Sequence, residues 1–544
     1  MKRDGQVRDV IGNTIKEKKL LSGAIVCTVL GAVLVSLVPP LILAQIVDRL
    51  TAGKDVTAVL ILLYFGMLAL TGLLESVREG LLIVFGQKIT HALRSRLMKK
   101  FGRLTTDNVN RQEPGTLVSR FVGDVDTVEK LFTSGIISMF ADACRIVSIL
   151  VVIWFRNCGL SLILLLLLPV LFLFTRQIQK RMLAAQIENR RAVGRASAYV
   201  PETLHNIRTI HCLKKETYME EKYDQYIGVS YQAMERTNFY DAVYSPVILI
   251  LNAVVVAVVM LLSASGNGKI LTLFGMSAGT AVAVISYISQ IFRPVESLGM
   301  EIQTIQSAIA GIHRINEFFA LEEKKEHPKS TGVRATKEVP FVEFQDVTFG
   351  YEEHVVLEHM SFKVMDGEQA TLSGRTGAGK STILKLLLGL YEPLEGDVLI
   401  HGVPAVQIGE EERRRLFGYV EQSFHMVPGT VRDQITLFDE RITESQIRKA
   451  AELTGLQDAI EGLEHGYDTI CTPELFSQGQ WQLLSIARAT AAGPSLLLLD
   501  EITANLDADT EKTVLQALNR AAQNRTVISI SHRTSAKMGK IIAL

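Results

Sequence analysis

The nine residues Gly374-Arg375-Thr376-Gly377-Ala378-Gly379-Lys380-Ser381-Thr382 carry the most specific chemistry in the chain. They fit G-x-x-x-x-G-K-[ST], in which glycines let backbone N–H groups turn inward around phosphate oxygens. From its place in the pattern Lys380 reaches the β- and γ-phosphates, and the Ser381 hydroxyl is suited to ligate Mg²⁺. The flanks make the pattern specific. Gln369-Ala370-Thr371-Leu372-Ser373 reads as a strand, and Ile383-Leu384-Lys385-Leu386-Leu387 reads as the start of an amphipathic helix. The N-terminus of that helix adds partial positive charge behind the loop. A glycine-rich turn with a chance lysine lacks this context.

Two further strand ends bear on the same chemistry. Ser495-Leu496-Leu497-Leu498-Leu499 is wholly apolar toward its end and runs into Asp500-Glu501. In a parallel sheet the C-terminal strand ends face the ligand crevice. There Asp500 is suited to the Mg²⁺ shell and Glu501 to polarising an attacking water. Thr526-Val527-Ile528-Ser529-Ile530 ends in Ser531-His532. A lone histidine is more often structural, but a position at the same sheet edge favours a functional role.

These parts need a scaffold, and the chain supplies more than one domain. It has 544 residues, 48% of them hydrophobic. Mean hydropathy is +0.23, which is high for a soluble protein and points to membrane segments. Lys+Arg and Asp+Glu both number 57, so no polyanionic partner such as nucleic acid is implied. Cys27, Cys144, Cys158, Cys212 and Cys471 form no C-x-x-C pair, which argues against a disulfide framework or a zinc site. Met1–Lys19 is polar and charged and does not read as a removable signal peptide.

Six apolar runs approach the length needed to span a bilayer, near Leu21–Val47, Val56–Leu74, Ile136–Trp154, Leu160–Phe174, Val243–Leu262 and Ile270–Ile291. Pro39-Pro40 should kink the first and Pro169 the fourth. Short connections alternate with two long ones, roughly Glu75–Gly135 and Thr175–Ala242, and the long ones hold most of the basic residues. By the positive-inside rule both long loops and both termini are cytoplasmic. The helical period continues through Gln87–Leu104 and Arg176–Ala198, so the membrane helices should run on into the cytoplasm. Ionisable residues in or beside the spans are Glu75, Arg78, Glu79, Asp142, Arg145, Arg293 and Glu296. Asp142 and Arg145, three apart on a helix, are placed to pair with each other; the alternative is a polar substrate cavity. A charged stretch from Leu321 with Pro328 and Gly332 reads as a linker.

At this point the residues resemble the ABC transporter family, in the form of an exporter-type half-transporter. The sharpest mark is Phe476-Ser477-Gln478-Gly479-Gln480, which resembles the family's L-S-G-G-Q signature, one helix upstream of Asp500-Glu501. The resemblance implies an α-helical transmembrane domain of six long helices (1–320), a linker (321–339) and an α/β P-loop ATPase domain (340–544). It implies ATP and Mg²⁺ as ligands. Tyr351 resembles the aromatic that stacks on adenine, and Gln422 the glutamine that reaches Mg²⁺ and senses the γ-phosphate. Glu501 resembles the general base and His532 the switch histidine. Asn505-Leu506-Asp507 resembles the loop between two ATP sites. Gly115-Thr116-Leu117-Val118-Ser119-Arg120 with Asp124 and Asp126 resembles the first coupling loop, and Glu202–Lys214 the second. In the family, Ser477, Gly479 and Gln480 of the signature close over ATP held by the opposite domain, so the working unit is a dimer.

The chain departs from the family pattern at Phe476, Gln478 and Trp481, and it lacks the glycine-rich piece expected before Phe476. A modified signature beside an intact Glu501 resembles one subunit of a heterodimeric exporter, which is favoured over a homodimer. Lys540-Ile541-Ile542-Ala543-Leu544 reads as the start of a strand, and the family pattern usually continues beyond it. The functional expectation is ATP-driven export of a small amphipathic, lipid or peptide substrate across the cell (inner) membrane by alternating access. An importer on the same fold is the alternative, ahead of an ATP-gated channel or regulatory subunit.

Overall fold

The computed structural model describes residues 5–263, 277–324, 339–351, 354–502, 506–531 and 538–544. They form two compact units. One runs to Arg103 and resumes from Gln112 to Glu322; the other holds Leu104–Arg111 and the chain from Glu323 onward.

The first unit is helical. Helix α1 (Gly5–Glu17) buries Val7 and Val10, and the Val7 N–H donates to Asn316 Oδ1 at 3.1 Å. The kink expected at Pro39-Pro40 is a one-residue interruption at Leu37, which keeps φ −78° and ψ −19°. Helix α2 (Lys19–Ser36) ends and α3 (Val38–Thr51) begins with both prolines in its first turn, where their missing N–H groups cost nothing. At the break the Tyr287 hydroxyl donates to the Leu37 carbonyl at 2.5 Å. Then come α4 (Ala58–Arg103), the short α5 (Thr106–Asn110), and the helical stretch α6 (Pro114–Arg156) with π-helical turns at Arg120–Asp124 and Leu131–Gly135. After them lie α7 (Cys158–His205), α8 (Ile207–Cys212), α9 (Glu216–Ser263) and α10 (Ala278–Phe319).

Among the described residues, four helical stretches are long and apolar enough to cross a membrane: Lys19–Thr51, Ala58–Arg103, Pro114–Arg156 and Glu216–Leu261. The expected fourth run lies in α7, with Pro169 inside the continuous helix. The sixth begins outside the described residues and ends in α10. Buried Leu37, Ile149, Ile153, Tyr244, Ile248, Tyr287 and Ile288 make the core of this unit. On α4 the apolar residues Val59, Leu62, Phe65 and Leu73 face outward, the arrangement of a helix solvated by lipid.

One expectation about this unit changes. Arg145 does not pair with Asp142; its guanidinium meets Glu75 at 2.9 Å, while Asp142 accepts from Ser297 at 3.4 Å. Helical spacing permits the local pair, but a partner on another helix takes the cation. The loop Gly115–Arg120 with Asp124 and Asp126 stays in the helical unit: Asp124, buried, accepts two bonds from Arg314 Nε at 3.0 and 2.9 Å, and Asp126 pairs with Arg94 at 2.8 Å. Leu104–Arg111, earlier in the chain, groups with the second unit, and there Asn110 Nδ2 donates to the Tyr391 hydroxyl at 3.2 Å. The expected linker falls mostly outside the described residues.

The second unit is built on two sheets. Strands β1 (Val342–Tyr351), β2 (His354–Val364), β4 (Glu395–Ile400) and β5 (Val403–Pro404) form an antiparallel sheet in the order β2-β1-β4-β5. Strands β3 (Gln369–Ser373), β6 (Phe417–Val420), β7 (Leu496–Asp500), β8 (Thr526–Ile530) and β9 (Lys540–Ala543) form a parallel sheet in the order β6-β7-β8-β3-β9. The wholly apolar reading of β7 has a simple cause. Successive side chains of a strand point to opposite faces, and both faces of this sheet are covered. Leu497 and Leu499 enter a core with helices α12 (Val431–Thr436), α13 (Glu444–Thr454), α14 (Gln478–Thr490) and α15 (Ala508–Ala522), the helical side of the sheet. Leu496 and Leu498 enter a second core with β1 and α11 (Lys380–Leu387). Each such leucine contributes about 1.5–3 kcal/mol.

Candidate functional site

The order β7-β8-β3 sets three strand ends side by side: Asp500 closes β7, Ser531 follows β8 and Gly374 follows β3. The loop after β3 turns through Gly377 and Gly379 at φ 87° and 86°, a left-handed backbone that glycine adopts without strain. A Cβ on Gly379 would also lie 2.6 Å from the Leu357 side chain. Lys380 opens α11 and is buried; its ammonium donates to the carbonyls of Gly374 and Arg375 at 3.1 and 2.9 Å. The lysine thus spans the loop it follows.

The acidic pair sits against this loop. The Ser381 hydroxyl and Tyr419 hydroxyl both donate to the Asp500 carboxylate, the latter at 3.4 Å. Burial pushes the Asp500 carboxyl up, the Glu501 charge adds to this, and the two hydroxyls and Lys385 pull it partly back. A bound cation would remove the desolvation cost, so the donor set Ser381, Asp500 and the nearby Gln422 has the chemistry of a hard divalent metal site. Glu501 holds φ 43°, uncommon for a residue with a side chain and a form of strain that gathers at functional positions. Its N–H donates to the Ile530 carbonyl at 3.2 Å, and its carboxylate accepts from Gln422 Nε2 at 3.5 Å. Tyr351 packs edge-on to Phe349 and Tyr391 at 5.1 and 5.5 Å, and its hydroxyl lies 3.4 Å from Thr382 Oγ1.

The structure therefore brings Gly374, Arg375, Thr376, Gly377, Ala378, Gly379, Lys380, Ser381, Thr382, Tyr351, Gln422, Asp500 and Glu501 to one edge of the parallel sheet. His532 and Asn505 lie outside the described residues. The signature residues sit apart: among the described residues no hydrogen bond joins Ser477, Gly479 or Gln480 to the phosphate loop. Ser477 caps α14, accepting from the Gln480 N–H at 3.3 Å, while Gln480 Oε1 accepts from the Ser477 N–H at 2.9 Å. This capping box leaves the Ser477 side chain exposed at a helix N-terminus.

The departures in the signature explain one another. Trp481 stacks on Phe424 at 4.9 Å and meets Phe476 edge-on at 5.1 Å. An aromatic residue in place of leucine and another in place of a basic residue thus form one packed group with the segment after Gln422. Two residues on α14 that sequence reading passed over tie the same segment down. Gln482 Nε2 donates to the Gln422 carbonyl at 2.8 Å. Arg488 donates to the Gln434 carbonyl at 2.6 Å and the His425 carbonyl at 2.9 Å, and it stands 4.2 Å over the Phe424 ring. Burial brings the Arg488 guanidinium down to about 10, so it stays charged at neutral pH. A lone cation in the apolar run Ile486-Ala487-Arg488-Ala489 was the available signal, because a buried charge requires partners.

Comparison with known proteins agrees with this geometry. Residues 22–295 match the family model described as "ABC transporter transmembrane region", and residues 357–504 match the one described as "ABC transporter". The chain is 28% identical to "Uncharacterized ABC transporter ATP-binding protein YfiC" of Bacillus subtilis (strain 168), over 99% of this chain and 90% of that protein. It is 27% identical to "ATP-dependent lipid A-core flippase" of Desulfotalea psychrophila, over 92% of this chain and 89% of that one. A solved structure, "Structure of a bacterial Atm1-family ABC exporter with ATP bound", has the same fold with a TM-score of 0.77, covering 97% of this chain and 93% of that one at 24% identity.

Proposed function

This chain belongs to the ABC transporter family, in the exporter-type form that joins a transmembrane region to an ATP-binding domain, and we propose that it drives export of an amphipathic substrate by alternating access. The observation that carries the proposal is the gathering of Lys380, Ser381, Gln422, Asp500 and Glu501 at one sheet edge in a chain whose other half is membrane helices. Lys380 and the N–H groups of Gly374–Thr382 hold the phosphates of ATP, and Tyr351 supports the adenine. Ser381, Gln422 and Asp500 would hold Mg²⁺, which supplies charge neutralisation at the phosphates. Glu501 accepts the proton of the attacking water, with Gln422 fixing its carboxylate and His532 reading the terminal phosphate.

Two such sites form when two nucleotide domains meet, each contributing Ser477, Gly479 and Gln480 to the other. The exposed Ser477, and the lack among the described residues of a hydrogen bond between the signature and its own phosphate loop, support this reading. The aromatic repacking around Trp481 beside an intact Glu501 supports a heterodimer, with this chain supplying the base and its partner the more regular signature. The basic long loops support cytoplasmic termini and a cell (inner) membrane location.

The test is Glu501→Gln in sealed inside-out vesicles that hold the assembled dimer. ATP binding is retained and turnover falls by roughly 10²–10⁴-fold, the usual worth of a positioned base. Unchanged turnover removes Glu501 from that role. Substrate accumulation inside these vesicles reports export, and ATP-driven loss from them reports import.

A further inference from the structure

Ser477 is the N-cap of α14 and Gln480 its third residue, so Phe476 stands just before the cap and Trp481 one place after Gln480. An apolar pair at these two positions staples a helix start and fixes the angle at which the chain enters. Here the staple is aromatic, and its two rings meet edge-on at 5.1 Å. The same indole also stacks on Phe424 at 4.9 Å, with an interplanar angle of 23°. Arg488, roughly two turns further along the same face of α14, stands 4.2 Å over that phenyl ring. The packing that presents Ser477 and the packing that holds Phe424 therefore share one side chain, Trp481.

Phe424 lies two residues after Gln422. The chain leaves the parallel sheet at Val420, the last residue of β6, and α14 then holds it by short bonds. Gln482, buried, donates to the Gln422 carbonyl at 2.8 Å, and Arg488 donates to the His425 carbonyl at 2.9 Å. Toward the sheet, the Gln422 side chain reaches Glu501 at 3.5 Å, the outer limit of a hydrogen bond. Short bonds to the helix against a long one to the strand end make Gln422 part of the α14 body. We propose that Trp481 is a positioning residue for Gln422: it couples the start of α14, where Ser477 is exposed, to the segment that sets Gln422 beside Glu501. A shift of the signature end therefore carries Gln422 with it. This rests on the reading of Ser477 as an interface residue and of Gln422 as a Mg²⁺ ligand, and adds how one domain links the two.

The test is hydrogen–deuterium exchange on the assembled protein in detergent, without nucleotide, with the stack removed from either side. Trp481→Leu or Phe424→Leu should raise exchange in residues 421–426 roughly two- to tenfold, the worth of one aromatic pair, while exchange in α13 and α15 stays level. Trp481→Phe keeps a ring and should recover most of the protection. Trp154→Phe, which removes the chain's other tryptophan, should change nothing there. The half-saturating Mg²⁺ concentration for ATP turnover should rise by the same factor in Trp481→Leu, and no further when Gln422→Ala is already present, because both act on one group. Unchanged exchange in residues 421–426, a rise spread evenly through the domain, or multiplying effects of Trp481→Leu and Gln422→Ala overturns the proposal. Exchange is read without metal or turnover, so failure here is separable from failure of Glu501→Gln, and Gln422→Ala with parental Mg²⁺ dependence removes the metal reading alone.

Discussion

Replacing Gly479 by alanine isolates what the signature glycine does. A Cβ built there falls 2.2 Å from Thr510 Cγ2 and 3.6 Å from Thr510 Cβ. Carbon atoms in contact sit about 3.5–4.0 Å apart, so the added methyl overlaps the threonine methyl and little else. Relief requires Thr510 to leave its rotamer or α14 and α15 to separate. The threonine sits in the first turn of α15, its N–H held by Asp507 Oδ2 at 3.1 Å. The two helices share Leu484, Ala487, Val514 and Ala517 in one buried core. Overpacking of this kind costs about 1–3 kcal/mol, which in a domain of this size lowers Tm by roughly 2–4 °C per kcal/mol. Differential scanning calorimetry of the assembled protein should show that loss in Gly479→Ala. Thr510→Ala removes the opposing methyl, so the double variant should recover the stability. ATP turnover then separates packing from ligand approach: recovery assigns Gly479 to helix packing, and persistent loss places its backbone against the nucleotide of the opposite domain. A Gly479→Ala protein that melts with the parent, or a double variant that does not recover, refutes the steric reasoning.

Two further outcomes follow from the same domain. Arg488→Ala deprives the Gln434 and His425 carbonyls of their donor, and should destabilise the protein by about 3 kcal/mol and lower turnover through a loosened Gln422 segment; Arg488→Lys should not rescue it, since an ammonium lacks the planar fork, and an unchanged melting curve would count against this account. Burial pushes the Cys471 thiol from 9.0 up to about 11, so the folded state keeps its proton where the unfolded state has lost it. Stability from this group therefore falls as pH rises from about 9 to 11, and iodoacetamide at pH 8 should spare Cys471 until the chain is unfolded; rapid labelling in the folded state would contradict its burial.

The phosphate loop was legible because its function is local: nine contiguous residues, a strand before and a helix after. The acidic pair after β7 and four of the six apolar spans, counted among the described residues, were legible for the same reason, each announced by a run of one residue class. The partners were not. Arg145 had Asp142 three residues away and took Glu75 instead. Leu104–Arg111 carries no motif, yet this segment groups with the nucleotide unit. Phe476 and Trp481 read as two separate departures, yet their rings meet edge-on and Trp481 stacks in turn on Phe424. What the amino-acid order determines alone is therefore the set of local parts: loop, strand ends, spans and signature. Which face of β7 feeds which core and what holds the Gln422 segment depend on contacts between residues far apart in the chain. Only the folded packing decides those, because burial and Coulomb energy follow distance in space and not separation in sequence.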